Sequence, residues 1–134
     1  MRITKKSGYG LIAMVELADN YGLEPVSTRE LSEKYDLPRP FLEKILRKLK
    51  GEELVEVKRG RNGGYMLFRK PSEISLKEVV GTLENGNTAP VSCLLSGEKG
   101  NCHLKNRCPT EEVWEEVNEK IDSILKSINL SDLI

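Results

Sequence analysis

Lys58-Arg59-Gly60-Arg61-Asn62-Gly63-Gly64-Tyr65 is the stretch on which the fold turns. Two arginines flank a glycine, and Asn62-Gly63 supplies residues that tolerate positive φ in a tight turn. The apolar runs on either side, Leu54-Val55-Glu56-Val57 and Tyr65-Met66-Leu67-Phe68, read as two short strands. A β-hairpin with a cationic tip is therefore predicted. Directly before it, Pro38 to Lys50 reads as an amphipathic helix, with Leu42, Ile45, Leu46 and Leu49 on its buried stripe and Gly51 ending it.

Further upstream, Ser27-Thr28-Arg29-Glu30 is a capping box, and Val26 with Leu31 has the spacing of a hydrophobic staple. A short second helix then covers roughly residues 28–35. Asp36-Leu37-Pro38 turns the chain, and Pro38 or Pro40 fits a first helical turn. A first helix runs from about Thr4 to Tyr21, with Leu11, Met14, Val15, Ala18 and Tyr21 on one face and Gly22 as its stop. Capped helix, turn, basic helix and basic ribbon follow one another in the order of a winged helix-turn-helix.

Downstream, Pro71 marks a boundary and Ser75-Leu76-Lys77-Glu78 repeats the capping box ahead of Val79, Val80 and Leu83. Residues 85–109 read as a loop rich in Gly, Asn, Ser and Pro, long enough to signal function. A last helix opens near Thr110, with Glu111 and Glu112 at its positive end. Its stripe is Val113, Val117, Ile121, Ile124, Leu125 and Ile128, which offers roughly 27 Å of apolar contact to a partner. Packing against the first helix of the same chain would use that stripe too. Trp114, the one tryptophan, sits near Cys108 and could shield a group held there or anchor the core, and the core is the expected place. The fold class is mainly α with a small β-hairpin: a winged helix-turn-helix over 1–84, a cysteine loop over 85–109, and a dimerisation helix and tail over 110–134.

The formal net charge of zero hides an asymmetry. Residues 1–70 hold 15 Lys/Arg against 10 Asp/Glu, whereas residues 71–134 hold 6 against 11. A basic front half can meet phosphate, and an acidic back half will face away from it. On the third helix Arg39, Glu43 and Lys44 are base-reading candidates, while Arg47 and Lys48, further back, suit backbone phosphates. Arg59 and Arg61 can reach a narrow minor groove, and Arg2, Lys5, Lys6 and Arg29 can add phosphate contacts. Double-stranded DNA is the implied partner, although helix-turn-helix units also dock proteins. No apolar run approaches the roughly 18 residues of a membrane span, and no signal-peptide core follows the charged N-terminus, so a cytoplasmic address is expected. No nucleophile–base pair, phosphate loop or two-histidine zinc motif is visible, which argues against an enzyme.

Cys93, Cys102 and Cys108 fall within sixteen residues. An odd count without a secretion signal disfavours a disulfide framework and points to metal ligation or thiol chemistry. The eight- and five-residue spacings contain no Cys-x2-Cys knuckle, so a zinc ribbon is a poor fit.

Taken together, the chain resembles the IscR/NsrR-type winged-helix transcriptional regulators of bacteria. The resemblance rests on Met1-Arg2-Ile3-Thr4 with Tyr9 and Ala13, Leu31-Ser32, Phe41-Leu42-Glu43-Lys44-Ile45 and Leu49. It continues through Gly60, Gly63-Gly64-Tyr65-Met66-Leu67, Ser75-Leu76-Lys77-Glu78-Val79, the three cysteines and Trp114. It implies a homodimer joined through the long last helix and an inverted-repeat operator. It also implies an iron–sulfur cluster, [2Fe–2S] or [4Fe–4S], on Cys93, Cys102 and Cys108, sensing iron–sulfur, redox or nitric oxide status in a repressor or activator. Soft thiolates suit such a centre and leave one iron position for a fourth ligand. The resemblance implies a shorter interval between the first two cysteines than the eight residues found here, which places added residues within Leu94 to Asn101. The family histidine three residues after the last cysteine is Glu111 here, and the one histidine, His103, adjoins Cys102. Either could be the fourth ligand. Gly8 stands where other members recruit a partner's acidic residue. The alternative is a winged-helix regulator controlled by a protein partner or by thiol oxidation, without a cluster.

Overall fold

The structure is a computed structural model that describes residues 2–94 and 102–134. Its helices are α1 (Lys5–Asp19), α2 (Thr28–Tyr35), α3 (Arg39–Gly51), α4 (Leu76–Leu83) and α5 (Glu111–Ser127). The hairpin comprises β1 (Val55–Lys58) and β2 (Gly64–Leu67), and short 3-10 turns cover Pro71–Glu73, Ser92–Leu94 and Leu130–Leu133. No helix among the described residues is long and apolar enough to cross a membrane.

Local chemistry places the helix-turn-helix where the sequence puts it. Ser27 Oγ accepts the Glu30 amide at 3.1 Å, satisfying one of the open donors at the start of α2. Asp36 leaves the helix in the left-handed region (φ 52°), and Ser32 Oγ donates to the Leu37 carbonyl at 2.6 Å. The chain then enters α3 behind Pro38, with Leu42, Ile45, Leu46 and Leu49 fully buried. Gly51 is the last helical residue rather than the stop. Reversal falls to Glu53 (φ 57°), because the Leu54 amide must return to the Leu49 carbonyl (3.1 Å) to bury the Leu54 side chain.

The hairpin pairs Val55 with Leu67 through Lys58 with Gly64, the facing expected of the two apolar runs, with each strand displaced one residue towards the tip. Its loop, residues 59–63, is too long for a two-residue turn, and the positive φ lies at Gly60 (123°) rather than at Asn62-Gly63. Gly63 is needed for a different reason: a Cβ there would run into the Lys58 carbonyl. The ribbon is docked on the strand-like residue before α2. Val26 and Tyr65 exchange backbone hydrogen bonds of 2.9 and 2.8 Å, and a Cβ on Gly64 would lie 2.5 Å from the Val26 carbonyl oxygen. Wing and α2 are thereby one mechanical piece.

The buried face of α1 is Ser7, Gly10, Ala13, Met14, Leu17 and Ala18. Leu11 and Val15 are only partly buried and Tyr21 is exposed, so the true stripe is rotated from the one predicted by large apolar residues. Small residues at Gly10 and Ala13 form the close approach, and periodicity weighted by size passes over them.

The N-terminus of α1 is capped from a distance. Thr4 makes no side-chain cap of its own. Instead the buried Glu84 carboxylate, just after α4, accepts the Thr4 amide (3.1 Å), the Thr4 hydroxyl (2.5 Å) and the Ser7 hydroxyl (2.9 Å). Burial pushes this carboxyl up, but the Thr4 and Ser7 donors and the nearby Lys6 charge outweigh it and hold it below its ordinary value of 4.5. The stabilisation is complete above that ordinary value and is lost as pH falls through the lower folded value. Glu84→Gln is expected to cost about 1–3 kcal/mol at neutral pH. Urea melts of both proteins should converge on acidification; a constant gap down to strong acid would show that the charge is not the source.

The tail after α5 returns to the core. Leu130 is fully buried; its amide donates to Ile74 O at 3.0 Å, and Leu76 N donates to Ile128 O at 2.7 Å. Lys77 of α4 meets Thr88 Oγ1 (3.0 Å) and Asp122 of α5 (2.5 Å). By contrast, no residue of α5 is itself buried, with Val113 56% and Ile124 60% exposed.

Candidate nucleic-acid interface and cysteine cavity

α2, α3 and the wing converge on one open groove of about 650 Å³, lined by Arg29, Arg39, Arg61, Asn62, Glu24 and Glu30 among others. Three cations from three elements thus share one surface. Arg39 projects from the first turn of α3 with its Nε 3.4 Å from Glu43 Oε1, and the same oxygen accepts from the Thr28 hydroxyl at 3.4 Å. Arg29 is exposed and paired with Glu33 at 3.0 Å. Such exposed i,i+4 pairs are worth a few tenths of a kcal/mol, so they orient the side chains without withholding them from an anion.

The other candidate cations lie outside the lining of that groove. Lys44 and Arg47 are exposed on α3, and Arg59 is exposed at the wing. Lys48 turns towards α4 and donates to Asn85 Oδ1. Arg2 and Lys5 are exposed at the start of α1, beside the Glu84 cap. Thr28, overlooked in the sequence because it merely follows the cap Ser27, is the buried hydroxyl that links α2 to Glu43.

The second feature is a cavity of about 220 Å³ lined by Cys93, Cys102 and Cys108, with Glu111, Trp114, Leu94, Leu104, Lys105 and Asn106. Fourteen residues lie between the first and last thiols in sequence, yet all three line one cavity. Glu111 belongs to that lining; His103 does not, and its carbonyl instead accepts from Arg107 at 3.3 Å. Cys108 lies just before α5, its sulfur 3.4 Å from Thr110 Oγ1. The Thr110 hydroxyl and amide, with a lesser part from the Glu111 amide, hold the thiol below its ordinary value against desolvation and the Glu111 charge. An opening helix end is a common source of such thiolate stabilisation.

Trp114 corrects an expectation. It is 38% exposed and faces the cavity instead of filling the core, because the start of α5 stands off the helical body. Among the described residues no three His, Cys, Asp or Glu side chains are grouped tightly enough to hold a single metal ion. A cluster spreads its attachment points over several atoms, and three soft donors around an otherwise largely apolar cavity fit that larger group. The residues that lengthen the spacing between Cys93 and Cys102 lie mostly at 95–101, outside the described residues.

Comparison with known proteins identifies the relatives of this chain. The model of the Rrf2 family, described as an iron-dependent transcriptional regulator, matches residues 3–134. The HTH-type transcriptional regulator IscR of Klebsiella pneumoniae is 30% identical over 134 residues, spanning 100% of this chain and 80% of the relative. Among solved structures, CymR, the global cysteine regulator of B. subtilis, is similar with a TM-score of 0.80 at 30% identity, covering 99% of this chain and 95% of that one. T. potens IscR is similar with a TM-score of 0.77 at 31% identity, covering 99% and 85%.

Proposed function

The chain belongs to the Rrf2 family of transcriptional regulators and is not an enzyme; from that premise we propose that it is a homodimeric reader of inverted-repeat DNA whose activity is set by an iron–sulfur cluster. The observation that carries the reading is that Cys93, Cys102 and Cys108 line one cavity at the entry to α5. The three thiolates would hold the cluster, and Glu111 is the better-placed fourth ligand, since it lines the cavity and His103 does not. When bound, the cluster supplies a redox- and nitric-oxide-reactive centre. This chain's own residues do the rest. Lys77 joins the segment before Cys93 to α5 through Thr88 and Asp122, and Asn85 joins it to Lys48 of α3. A change at the cavity can therefore bias two arrangements of the DNA-reading body.

Anaerobic purification followed by iron and acid-labile sulfide analysis tests the cluster. The wild type should retain both, and Cys93→Ala, Cys102→Ala and Cys108→Ala should each lose them; a variant with normal content removes that residue from the ligand set. On the DNA side, Arg59 and Arg61 reach the minor groove, and Arg2, Lys5, Arg29, Arg47 and Lys48 meet backbone phosphates. Arg59→Ala or Arg61→Ala should weaken operator binding and lower the salt slope by about one per lost phosphate contact. Unchanged affinity and slope in both would take the wing out of the groove.

A second reading has support of its own. Cys93 and Cys102 are exposed, Cys108 is acidified by Thr110, and the fold is shared with a cysteine regulator. Under that reading the same cavity works as a thiol switch or docks a protein partner, and the chain stays free of iron and sulfide under anaerobic handling.

A further inference from the structure

We infer that Arg39 reads a guanine and that Thr28, which meets no DNA itself, sets that preference by holding Arg39 through Glu43. The inference rests on the DNA-reading function above and adds to it the base, the atoms and a residue outside the interface. Arg39 is held through Nε, 3.4 Å from Glu43 Oε1. With Nε on Glu43, the terminal Nη1 and Nη2 groups can offer two parallel N–H donors. Two parallel donors match the O6 and N7 acceptors of guanine in the major groove, and no other base presents two acceptors there.

An arginine on a helix has several rotatable bonds, and a free one would sample many directions. Glu43 reduces that freedom only if it is itself fixed. Its Oε1 accepts from Thr28 Oγ1 at 3.4 Å, and Thr28 is 7% exposed in the first turn of α2. The chain Thr28–Glu43–Arg39 therefore runs from a buried hydroxyl to a half-exposed guanidinium. Each link is long for a hydrogen bond and weak alone. Their effect is orientation, so it should register in base preference more than in total affinity. The same groove carries Arg29 and Arg61, whose contacts with phosphate and minor groove are blind to this base. Glu43 thus acts as a positioning residue for Arg39.

Selection of the full-length protein on a randomised duplex library, at one fixed salt concentration, tests the inference. Wild type should select guanine at one position of each half-site, and Arg39→Ala should flatten that position alone. Thr28→Val removes the hydroxyl at nearly constant volume and should cut the guanine preference about tenfold, the scale of one bidentate contact. Other positions should keep their preferences, and Thr28→Ser should restore guanine. Glu43→Ala, at an accessible helix position, gives the same readout should the buried substitution disturb folding. If Arg39→Ala flattens a guanine that Thr28→Val and Glu43→Ala leave intact, the positioning chain is wrong. If wild type selects a motif that Arg39→Ala does not alter, Arg39 reads no base. A wild type with no selected motif at all would instead overturn the DNA-reading function itself.

Discussion

Leu130→Ala is expected to destabilise the protein by about 2–5 kcal/mol, the range for emptying a fully buried leucine site. Leu130 lies four residues from the C-terminus, where chains are usually tolerant of change. Here it has no solvent exposure and belongs to the same core as Met14, Leu46, Ile74 and Leu83. Its backbone is also stitched to the start of α4 by the Leu130–Ile74 hydrogen bond and the neighbouring Leu76–Ile128 bond. The cavity would therefore open where two segments are pinned and cannot collapse inward. Leu133, 42% exposed in the same turn, is the control, and Leu133→Ala should fall within about half a kcal/mol. Denaturant midpoints must be compared at one protein concentration, because association adds to apparent stability. Equal midpoints for the two variants would mean that the tail is not part of the folding unit.

Ile124→Glu is expected to yield monomers and to lower operator affinity by about 10²–10⁴-fold, the scale on which two linked half-site contacts exceed one. α5 packs on α4, and Lys77–Asp122 fixes that approach, yet none of its seventeen residues is buried. Val113 and Ile124 are each more than half exposed on a helix whose sequence is plainly amphipathic. In the proposed homodimer, the apolar stripe that one chain covers on one side only would be completed by a second copy, and the two-fold symmetry of such a pair would match an inverted repeat. A glutamate at the centre of that stripe would bury a charge without a partner. Sedimentation and operator binding should change together. A dimer that survives Ile124→Glu would place the interface elsewhere, and a monomer with undiminished affinity would show that one half-site suffices.

The helix-turn-helix was legible because its signals are local. Ser27 and Glu30 build the cap that their spacing predicts, and Leu42, Ile45, Leu46 and Leu49 all reach the core. The hairpin was legible as a hairpin but not in its turn chemistry. Which glycine takes positive φ depends on loop length and register, and these follow from docking on Val26. The α1 stripe was misplaced because Gly10 and Ala13 mark close approach, which hydrophobic spacing does not weigh. Trp114 was misplaced because an aromatic is as well suited to a cavity wall as to a core.

By itself, then, the sequence determined the element order, the capped α2–α3 unit, the basic wing and the presence of three soft donors on one connection. Each follows from forces acting over a few residues: capping, helical periodicity, glycine-rich turns and residue chemistry. Only the tertiary structure decided which cations share the groove, that Glu111 and Trp114 join the thiols while His103 does not, and that Leu130 closes the core. It also supplied the Glu84 cap of α1 and the Thr28–Glu43–Arg39 chain. Most of these meetings join residues far apart in the sequence, and their partners are chosen by how the helices pack.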